Sequence, residues 1–208
     1  MAQLLFFDAD HTYTVDGETV PSVSELTRFL SRELYGDIQQ YNLDRAASRG
    51  TAVHKATEVL DKYGKVEASE DIVPYVKAYL QFLKDHKPTW EKIEWAVCSP
   101  EKDYAGTIDR YGIVDEKHTI VDLKTTANIC PRHRKLYEAA QNLYRMAIEH
   151  KHPVEQLLIL QLKNDGTYKL YELPVDSTLA NACLAMHKAM AKKKRRKKVD
   201  PENGRDDS

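Results

Sequence analysis

The sequence has little of what marks exported, membrane or disulfide-linked proteins. Among its 208 residues are only three cysteines, Cys98, Cys130 and Cys183, whose wide spacing suggests no pairing and favours a reducing compartment. No apolar run approaches the roughly 18 residues that span a bilayer. The opening Met-Ala-Gln-Leu-Leu-Phe-Phe-Asp also lacks the basic stretch of a signal peptide. We therefore expect a cytoplasmic protein that is neither secreted nor bound to a membrane.

The sequence also lacks a large net charge, but its charges are unevenly placed. The formal net charge is −1, whereas residues 1–191 hold 23 basic and 28 acidic residues, which leaves this part at about −5. The excess positive charge lies in one run: Lys192, Lys193, Lys194, Arg195, Arg196, Lys197 and Lys198. Such a run can bind the DNA backbone as a mobile tether, with strongly salt-dependent affinity. The alternatives are a solvated helix end, a disordered tail or, in a eukaryote, a nuclear localisation signal.

The pattern of the chain predicts one folded domain. Hydrophobic residues make up 42% of it, which is enough for a core without disulfides. Helical patterns come first and a mixed sheet crossed by a helix follows, so we predict an α/β or α+β fold with a mixed central sheet flanked by helices. The predicted domain is 1–191, followed by a disordered tail at 192–208. The predicted elements are a hairpin around Asp16-Gly17, helices at 22–31, 39–63, 72–85, 132–150 and from 177, and strands at 93–99, 104–114, 119–126, 156–162 and 167–173.

The most informative stretch is Gly106-Thr-Ile-Asp109 followed by Asp122-Leu-Lys124. Two β-rich segments flank the polar run 115–118, which predicts a hairpin whose turn centres on Glu116 and Lys117. In that register Asp109 lies opposite Lys124, and Asp109, Asp122 and Lys124 share one face. The other face would hold the apolar residues Ile108, Val114, Val121 and Leu123.

Two carboxylates beside one ammonium suit a divalent metal and a scissile phosphate. Mg²⁺ and Mn²⁺ prefer hard oxygen ligands, and two aspartates leave positions for water and phosphate oxygen. Lys124 could orient or deprotonate the attacking water, or neutralise charge on the phosphate. The alternative is an exposed Asp/Lys salt bridge, worth about 0 to 1 kcal/mol.

Two predicted helices supply further candidates. On the first, His54 and Glu58 are four residues apart on one face, so His54 could bind a metal and Glu58 could orient a ligand or water. Arg49, at the start of the same motif, is a candidate nucleic-acid contact. His54 could instead be an ordinary surface or core histidine. The second helix carries Tyr137, Gln141, Tyr144 and Arg145, which could contact phosphate or an end base, or could form a half-buried helix face.

In order and spacing, these motifs resemble those of a known family. Gly50-x-x-x-His54, Gly106-x-x-Asp109, Asp122-x-Lys124 and the later Gln141 helix resemble the motifs of the PD-(D/E)XK superfamily, in particular its RecB-like branch found in phage recombination exonucleases. The opening segments His11-Thr-Tyr-Thr-Val-Asp-Gly17 and Val20-Pro-Ser-Val-Ser24 are also similar to the start of such proteins. The resemblance covers nearly all of the chain up to about Tyr171 and implies a restriction-endonuclease-like core.

The resemblance implies a role for each motif residue. Asp109, Asp122, His54 and the carbonyl of Leu123 would bind the metal, Lys124 would be the catalytic lysine, and Glu58 and Gln141 would assist. Glu94 corresponds to an acidic position at the edge of such sites, although it could also be a solvent-facing strand residue. The family places a tyrosine four residues after the glutamine, where this chain has Arg145, so the roles of Tyr144 and Arg145 stay open. Three cysteines make a four-cysteine iron–sulfur cluster improbable.

The resemblance implies a Mg²⁺- or Mn²⁺-dependent deoxyribonuclease. Its preferred interpretation is an exonuclease that degrades double-stranded DNA ends in recombination or repair. Two alternatives stay open: a structure-specific or restriction-like endonuclease, and a non-catalytic DNA-binding protein of the same fold. The implied partners are DNA and a single-strand annealing protein, and an oligomer is allowed. The implied location is the cytoplasm of a bacterial or phage-infected cell.

Overall fold

The computed structural model describes residues 3–7, 12–35, 40–101 and 103–198, with the backbone alone described at 33–35, 40–44 and 192–198. Its strands are β1 (Leu4–Phe7), β2 (Thr12–Val15), β3 (Glu18–Val20), β4 (Thr89–Cys98), β5 (Ala105–Val114), β6 (Lys117–Lys124), β7 (Gln156–Leu162) and β8 (Tyr168–Leu173). Its helices are α1 (Val23–Leu26), α2 (Arg28–Tyr35), α3 (Gln40–Tyr63), α4 (Val73–His86), α5 (Pro131–Ile148) and α6 (Thr178–Lys198).

A five-stranded mixed sheet forms the centre of the fold. The strand order is β4-β5-β6-β7-β8, and β6 and β7 pair in parallel while the other neighbours are antiparallel. A parallel pair needs a long crossover connection, and α5 provides it between β6 and β7. The prediction of an α+β fold with a mixed central sheet flanked by helices is therefore confirmed.

Each face of the sheet is covered by a separate apolar cluster. On one face, Ile120 packs with Leu143 of α5. On the other, Val121 and Leu123 pack with Phe82 of α4. Because side chains alternate along a strand, this arrangement turns Asp122 and Lys124 towards the α5 face.

The β5–β6 hairpin has a tighter turn than the sequence predicted. Val114 pairs with Lys117, so the turn consists of Asp115 and Glu116, which have φ angles of 48° and 69°. Two left-handed residues are the signature of a two-residue hairpin turn, and aspartate tolerates that conformation well. The predicted register was therefore wrong by two residues. A two-residue shift by itself preserves the alternation of side chains, so Asp122 and Lys124 still share one face. The pairing of β5 with β6 runs from Val114–Lys117 to Arg110–Val121 and ends directly before Asp109.

The regular alternation of side chains is interrupted at Asp109. Ile108 belongs to the cluster on the α5 face, whereas Arg110, two residues later, reaches Asp61 on the α3 side. The prediction that Ile108 shares a face with Val121 and Leu123 was therefore wrong. The interruption lies where Glu94 of the neighbouring strand has a φ angle of 48°. Glu94 and Asp109 consequently lie at this irregularity, directly beyond the last pair of β5 with β6, Arg110–Val121.

The N-terminal segment folds as predicted around Asp16-Gly17 and adds β1 to the hairpin. The predicted capping box is present: Ser22 and Glu25 bond each other's backbone amides at the start of α1. Thr27 separates α1 from α2, where one helix was predicted. This small sheet is attached close to the start of β5, because the Tyr13 hydroxyl and Thr107 Oγ1 share a hydrogen bond of 2.9 Å.

The C-terminal helix α6 continues through the basic run to Lys198, although the run was predicted to belong to a disordered tail. The side chains of 192–198 and the whole of 199–208 lie outside the described residues. Among the residues that the structure describes, no helix has the length and apolarity needed to cross a membrane.

Candidate metal centre

Three side chains from three elements converge at the irregularity shared by β4 and β5. His54 of α3, Glu94 of β4 and Asp109 of β5 each offer one ligand atom, and these atoms all lie within 4.8 Å of one another. His54 Nδ1 is 3.7 Å from both Glu94 Oε1 and Asp109 Oδ1. The group is partly buried, so it is shielded from bulk water on the protein side.

The backbone of Leu123 orients two members of the group. Its N–H donates to Asp109 Oδ2 at 2.7 Å, and its carbonyl accepts a hydrogen bond of 3.1 Å from His54 Nε2. Because a carbonyl only accepts, Nε2 must carry a proton, which leaves Nδ1 facing the two carboxylates. The Leu123 carbonyl, predicted as a metal ligand, thus contacts His54 in this structure.

Glu94 joins the group, a position that the sequence left undecided. Its left-handed backbone turns the carboxylate towards α3, where Arg110 Nη1 donates to Glu94 Oε1 at 3.0 Å. Sequence reasoning missed Arg110 and its partner Asp61 altogether. The signal that could have found Arg110 is a second charged residue directly after Asp109, in a strand that continues with Tyr111, Gly112, Ile113 and Val114.

The paired residues Asp122 and Lys124 lie beside this group, on the α5 face. Lys124 Nζ is 2.5 Å from Asp122 Oδ2, and the two side chains are 30% and 17% exposed respectively. Burial raises the pKa of Asp122; the Lys124 ammonium opposes this effect and the Asp109 charge adds to it. The pair is therefore not the exposed salt bridge of the alternative interpretation, although Asp122 does not belong to the three-residue group.

The charges around His54 control its protonation. The Asp109 carboxylate raises the pKa of His54 to about 9, against the opposing effect of burial, and Glu94 adds to the increase. At neutral pH the metal-free ring therefore carries a second proton, on the nitrogen that faces the carboxylates. A divalent ion would compete with this proton for the same place.

Helix α5 supplies one wall of the site. Lys124 Nζ lies 5.3 Å from the centroid of the Tyr137 ring. Gln141 is 1% exposed, and neither polar atom of its amide has a hydrogen-bond partner within the described residues. Burial raises the pKa of Tyr144, and the charges of Asp109 and Asp122 raise it further.

Gly106 of the predicted motif is needed for this wall. A Cβ atom at Gly106 would lie 2.6 Å from Tyr144 Cε1 and 3.1 Å from Val23 Cγ2. Contacts below 3 Å do not occur between packed carbon atoms, so any side chain at this position would displace the Tyr144 ring. The glycine thus lets α5 approach the strand that carries Asp109.

Two predicted site residues face elsewhere. Glu58 accepts hydrogen bonds from Lys55 at 3.0 Å and from Lys62 at 2.6 Å, and it is not in the metal-ligand group. It lies one helical turn beyond His54, and lysines at i−3 and i+4 bind its carboxylate there. The role predicted for Glu58 in orienting a ligand is not supported by this placement.

Arg145 is also directed away from the carboxylates. Its guanidinium donates to Asn142 at 3.1 Å and also bonds Glu149 and Ser177. On a helix, residue 145 is rotated by about 100° from residue 144, so only one of the two can face the sheet. Of the two candidates after Gln141, Tyr144 is the one beside the acidic residues.

A cavity of about 360 Å³ opens beside the site and is lined by Arg49, His54, Lys124, Thr125, Thr126 and Tyr137, among others. The guanidinium of Arg49 stacks over the Tyr75 ring at 5.6 Å. The predicted contacts Arg49 and Tyr137 are thus brought next to Lys124. The seven predicted contacts of the run 192–198 have side chains outside the described residues.

The donor set fits a divalent metal ion. Two ligand atoms bound at roughly 2.1 Å to one octahedral ion are about 3.0 Å apart when adjacent and about 4.2 Å apart when opposite. The 3.7 Å distances from His54 Nδ1 to the two carboxylates lie within that range. Two carboxylate oxygens and one imidazole nitrogen are donors that divalent metal ions use in proteins.

Among known proteins, the chain is similar only to solved structures. No protein-family model matches the chain, and no curated protein matches it. An alkaline exonuclease from Laribacter hongkongensis, LHK-Exo, is 12% identical, with a TM-score of 0.43 over 86% of this chain and 93% of that one. The same enzyme in complex with dAMP is 13% identical (TM-score 0.42; 86% and 93%), and SSO0001 is 13% identical (TM-score 0.36; 80% and 76%). With TM-scores below 0.5 these likenesses leave the activity of this chain to be inferred from its own side chains.

Proposed function

We propose that this chain is a metal-dependent deoxyribonuclease, and that its preferred substrate is the end of double-stranded DNA. One observation carries the proposal: the group His54, Glu94 and Asp109, which fits a divalent ion, lies beside the half-buried pair of Asp122 and Lys124. Carboxylates that bind a cation, next to an ammonium that can act on a phosphate, are groups that metal-dependent phosphodiester hydrolysis uses.

The side chains of the site would have different roles in hydrolysis. Asp109, Glu94 and His54 would hold the ion, which when bound would supply Lewis acidity towards a phosphate oxygen. The Lys124 ammonium, close to Asp122, would orient the attacking water and neutralise charge developing on the phosphate. Gln141 has a buried amide that could bind a phosphate oxygen or water, and Arg49 could bind the next phosphate along the cavity.

The proposal is tested with end-labelled linear duplex DNA, in Mg²⁺ or Mn²⁺ and with metal omitted. We expect cleavage only with metal, and at least a roughly 100-fold loss in Lys124→Ala and Asp122→Ala. Lys55→Ala, an exposed lysine on the same helix as His54, is the matched control and should keep wild-type activity. Full activity of the Lys124 or Asp122 variant, with folding confirmed by circular dichroism, would overturn the assignment.

Two further measurements separate the alternatives. A covalently closed circle should stay intact with an exonuclease and be cut by an endonuclease. Calorimetric titration with Mn²⁺ separates a nuclease from a non-catalytic DNA-binding protein, because a degenerate site should bind no ion. Activity on double-stranded ends and the cellular setting rest on the resemblance described above. The single-strand annealing partner, an oligomer and a cytoplasmic location in a bacterial or phage-infected cell stay predictions.

A further inference from the structure

Arg110 follows Asp109 directly in β5 and is completely buried, with 0% of its surface exposed. A guanidinium stays charged at any accessible pH, so one buried this deeply must be satisfied by partners. Its Nε donates to Asp61 Oδ2 at 2.7 Å and its Nη2 to Thr57 Oγ1 at 3.1 Å. Its Nη1 donates to Glu94 Oε1 at 3.0 Å and to the backbone carbonyl of Asp109 at 2.7 Å.

The rear of the guanidinium is fixed by the core between α3 and α4. The Asp61 side chain, 2% exposed, accepts a second hydrogen bond of 2.6 Å from the hydroxyl of Tyr79, itself completely buried. The Arg110 guanidinium also lies 5.9 Å from the Tyr79 ring centroid. Asp61 thus holds Arg110 in one place, while the Tyr79 hydroxyl bonds Asp61, and neither residue belongs to the metal-ligand group.

The front of the guanidinium touches two members of that group. The oxygen that accepts from Arg110, Glu94 Oε1, is the same oxygen that lies 3.7 Å from His54 Nδ1. Glu94 also has a left-handed backbone, with a φ angle of 48°, which is strained for an L-residue and persists only when its surroundings hold it. Arg110 provides such a hold, and its bond to the Asp109 carbonyl ties the second ligand to the same guanidinium.

The two carboxylates repel each other before an ion binds. Glu94 is 27% exposed and could turn its carboxylate out to water, away from Asp109. A fixed cation behind Glu94 offsets the repulsion and keeps both carboxylates facing His54. Preorganisation of this kind lowers the cost of gathering ligands when the ion arrives.

We propose that Arg110 is a positioning residue for this centre: its guanidinium, anchored by Asp61, holds Glu94 in place as the third ligand beside His54 and Asp109. This inference rests on the proposed function, because it requires that the group bind a divalent ion. It assigns to Arg110 and Asp61 a role in metal affinity and not only in packing.

The test measures Mn²⁺ affinity by calorimetry, without DNA, on Arg110→Lys, Glu94→Gln and the double variant. Lysine keeps the charge but cannot reproduce the planar fork that spans Asp61 and Glu94. We expect each single variant to lose roughly 10- to 100-fold in affinity, as for other residues that orient metal ligands. The double variant should be no weaker than Glu94→Gln alone, because Arg110 acts through Glu94.

Two further variants separate positioning from general destabilisation. Tyr79→Phe removes the hydrogen bond to Asp61 without touching Glu94, so it should lower the melting temperature and leave Mn²⁺ affinity unchanged. Asp61→Asn weakens the bond between residue 61 and Arg110 and keeps the guanidinium, so it should lower the Mn²⁺ affinity several-fold. This variant tests the proposal if Arg110→Lys does not fold. Wild-type Mn²⁺ affinity in folded Arg110→Lys or Asp61→Asn, or losses that multiply in the double variant, would overturn the proposal. Failure of the wild-type protein itself to bind Mn²⁺ would instead overturn the proposed function and this inference with it.

Discussion

At the residue scale, the protonation of His54 links stability to metal binding. The ring is held between Glu94 and Asp109, each 3.7 Å from Nδ1. The Asp109 carboxylate raises the pKa of His54 to about 9, whereas an unfolded histidine titrates near its ordinary value of 6.5. A group with a raised pKa stabilises the fold while it stays protonated, so this contribution is complete below about pH 6.5 and is lost as pH rises to about 9.

We therefore expect the metal-free protein to lose stability between pH 6.5 and 9. The loss attributable to His54 is up to about 3 kcal/mol, since each unit of pKa difference corresponds to roughly 1.4 kcal/mol. Urea unfolding at a series of pH values, in the presence of a chelator, measures this loss. The matched control is His54→Asn, which should show a flatter dependence over the same range. Parallel curves for the two proteins would contradict the assignment of the titration to His54.

At the element scale, the β5–β6 hairpin decides which side chains meet. Its turn residues, Asp115 and Glu116, both have left-handed backbones. Asp115 is held by a contact of 2.8 Å between its Oδ2 and His86 Nδ1, whereas Glu116 is exposed. The turn sets the register up to the pair Arg110–Val121. Asp109 and Asp122 are the next residues beyond this pair, and both are central to the proposed chemistry. The left-handed backbone at Glu116 is strained, and this strain accompanies the two-residue turn that sets the register between β5 and β6.

Replacing Glu116 with glycine should stabilise the protein. Glycine adopts the φ angle of 69° without the roughly 1–2 kcal/mol penalty of an L-residue, although it gains entropy when unfolded. We expect a net gain of up to about 1 kcal/mol, or roughly 2–4 °C in melting temperature for a chain of this length. Calorimetry measures the shift, and Lys117→Gly, in the adjacent strand position, should be destabilising. A lower melting temperature for Glu116→Gly would show that the turn is not strained at this residue.

At the scale of the whole molecule, charge is separated along the chain. Residues 1–191 are acidic in total, and the seven-residue basic run lies at the end of α6, followed by acidic residues. An acidic enzyme must bind the phosphate backbone through local positive charge. The cavity beside the site contributes Arg49 and Lys124, and the basic run offers seven further charges.

Removal of residues 192–208 should weaken DNA binding and flatten its dependence on salt, because fewer counterions are released when fewer cations contact phosphate. Removal of 199–208 alone is the matched control, since it deletes acidic residues and keeps the basic run; it should not weaken binding. Fluorescence anisotropy with labelled duplex at several salt concentrations, without metal, measures both effects. If removal of residues 192–208 left the slope of log affinity against log salt unchanged, the basic run would not act as a tether on DNA.

The sequence alone determined the elements and part of the site, because these depend on local patterns. The hydrophobic periods predicted α3, α4 and α5 to within two residues, and turn residues predicted the N-terminal and β7–β8 hairpins. Asp122 and Lys124 share one face even though the predicted register was wrong, since a shift of two residues preserves the side-chain alternation. Asp109 lies where that alternation is interrupted.

Only the tertiary structure decided which groups meet His54. Glu94 joins the site through an irregular backbone where the alternation of side chains breaks, and no local pattern encodes that break. The buried Arg110 finds Asp61 at a separation of 49 residues, while Glu58 and Arg145 bind neighbours on their own helices and leave the site. Strand and helix formation follows from spacing within a few residues, whereas the choice of charged partners depends on distances and burial that exist only once the chain is folded.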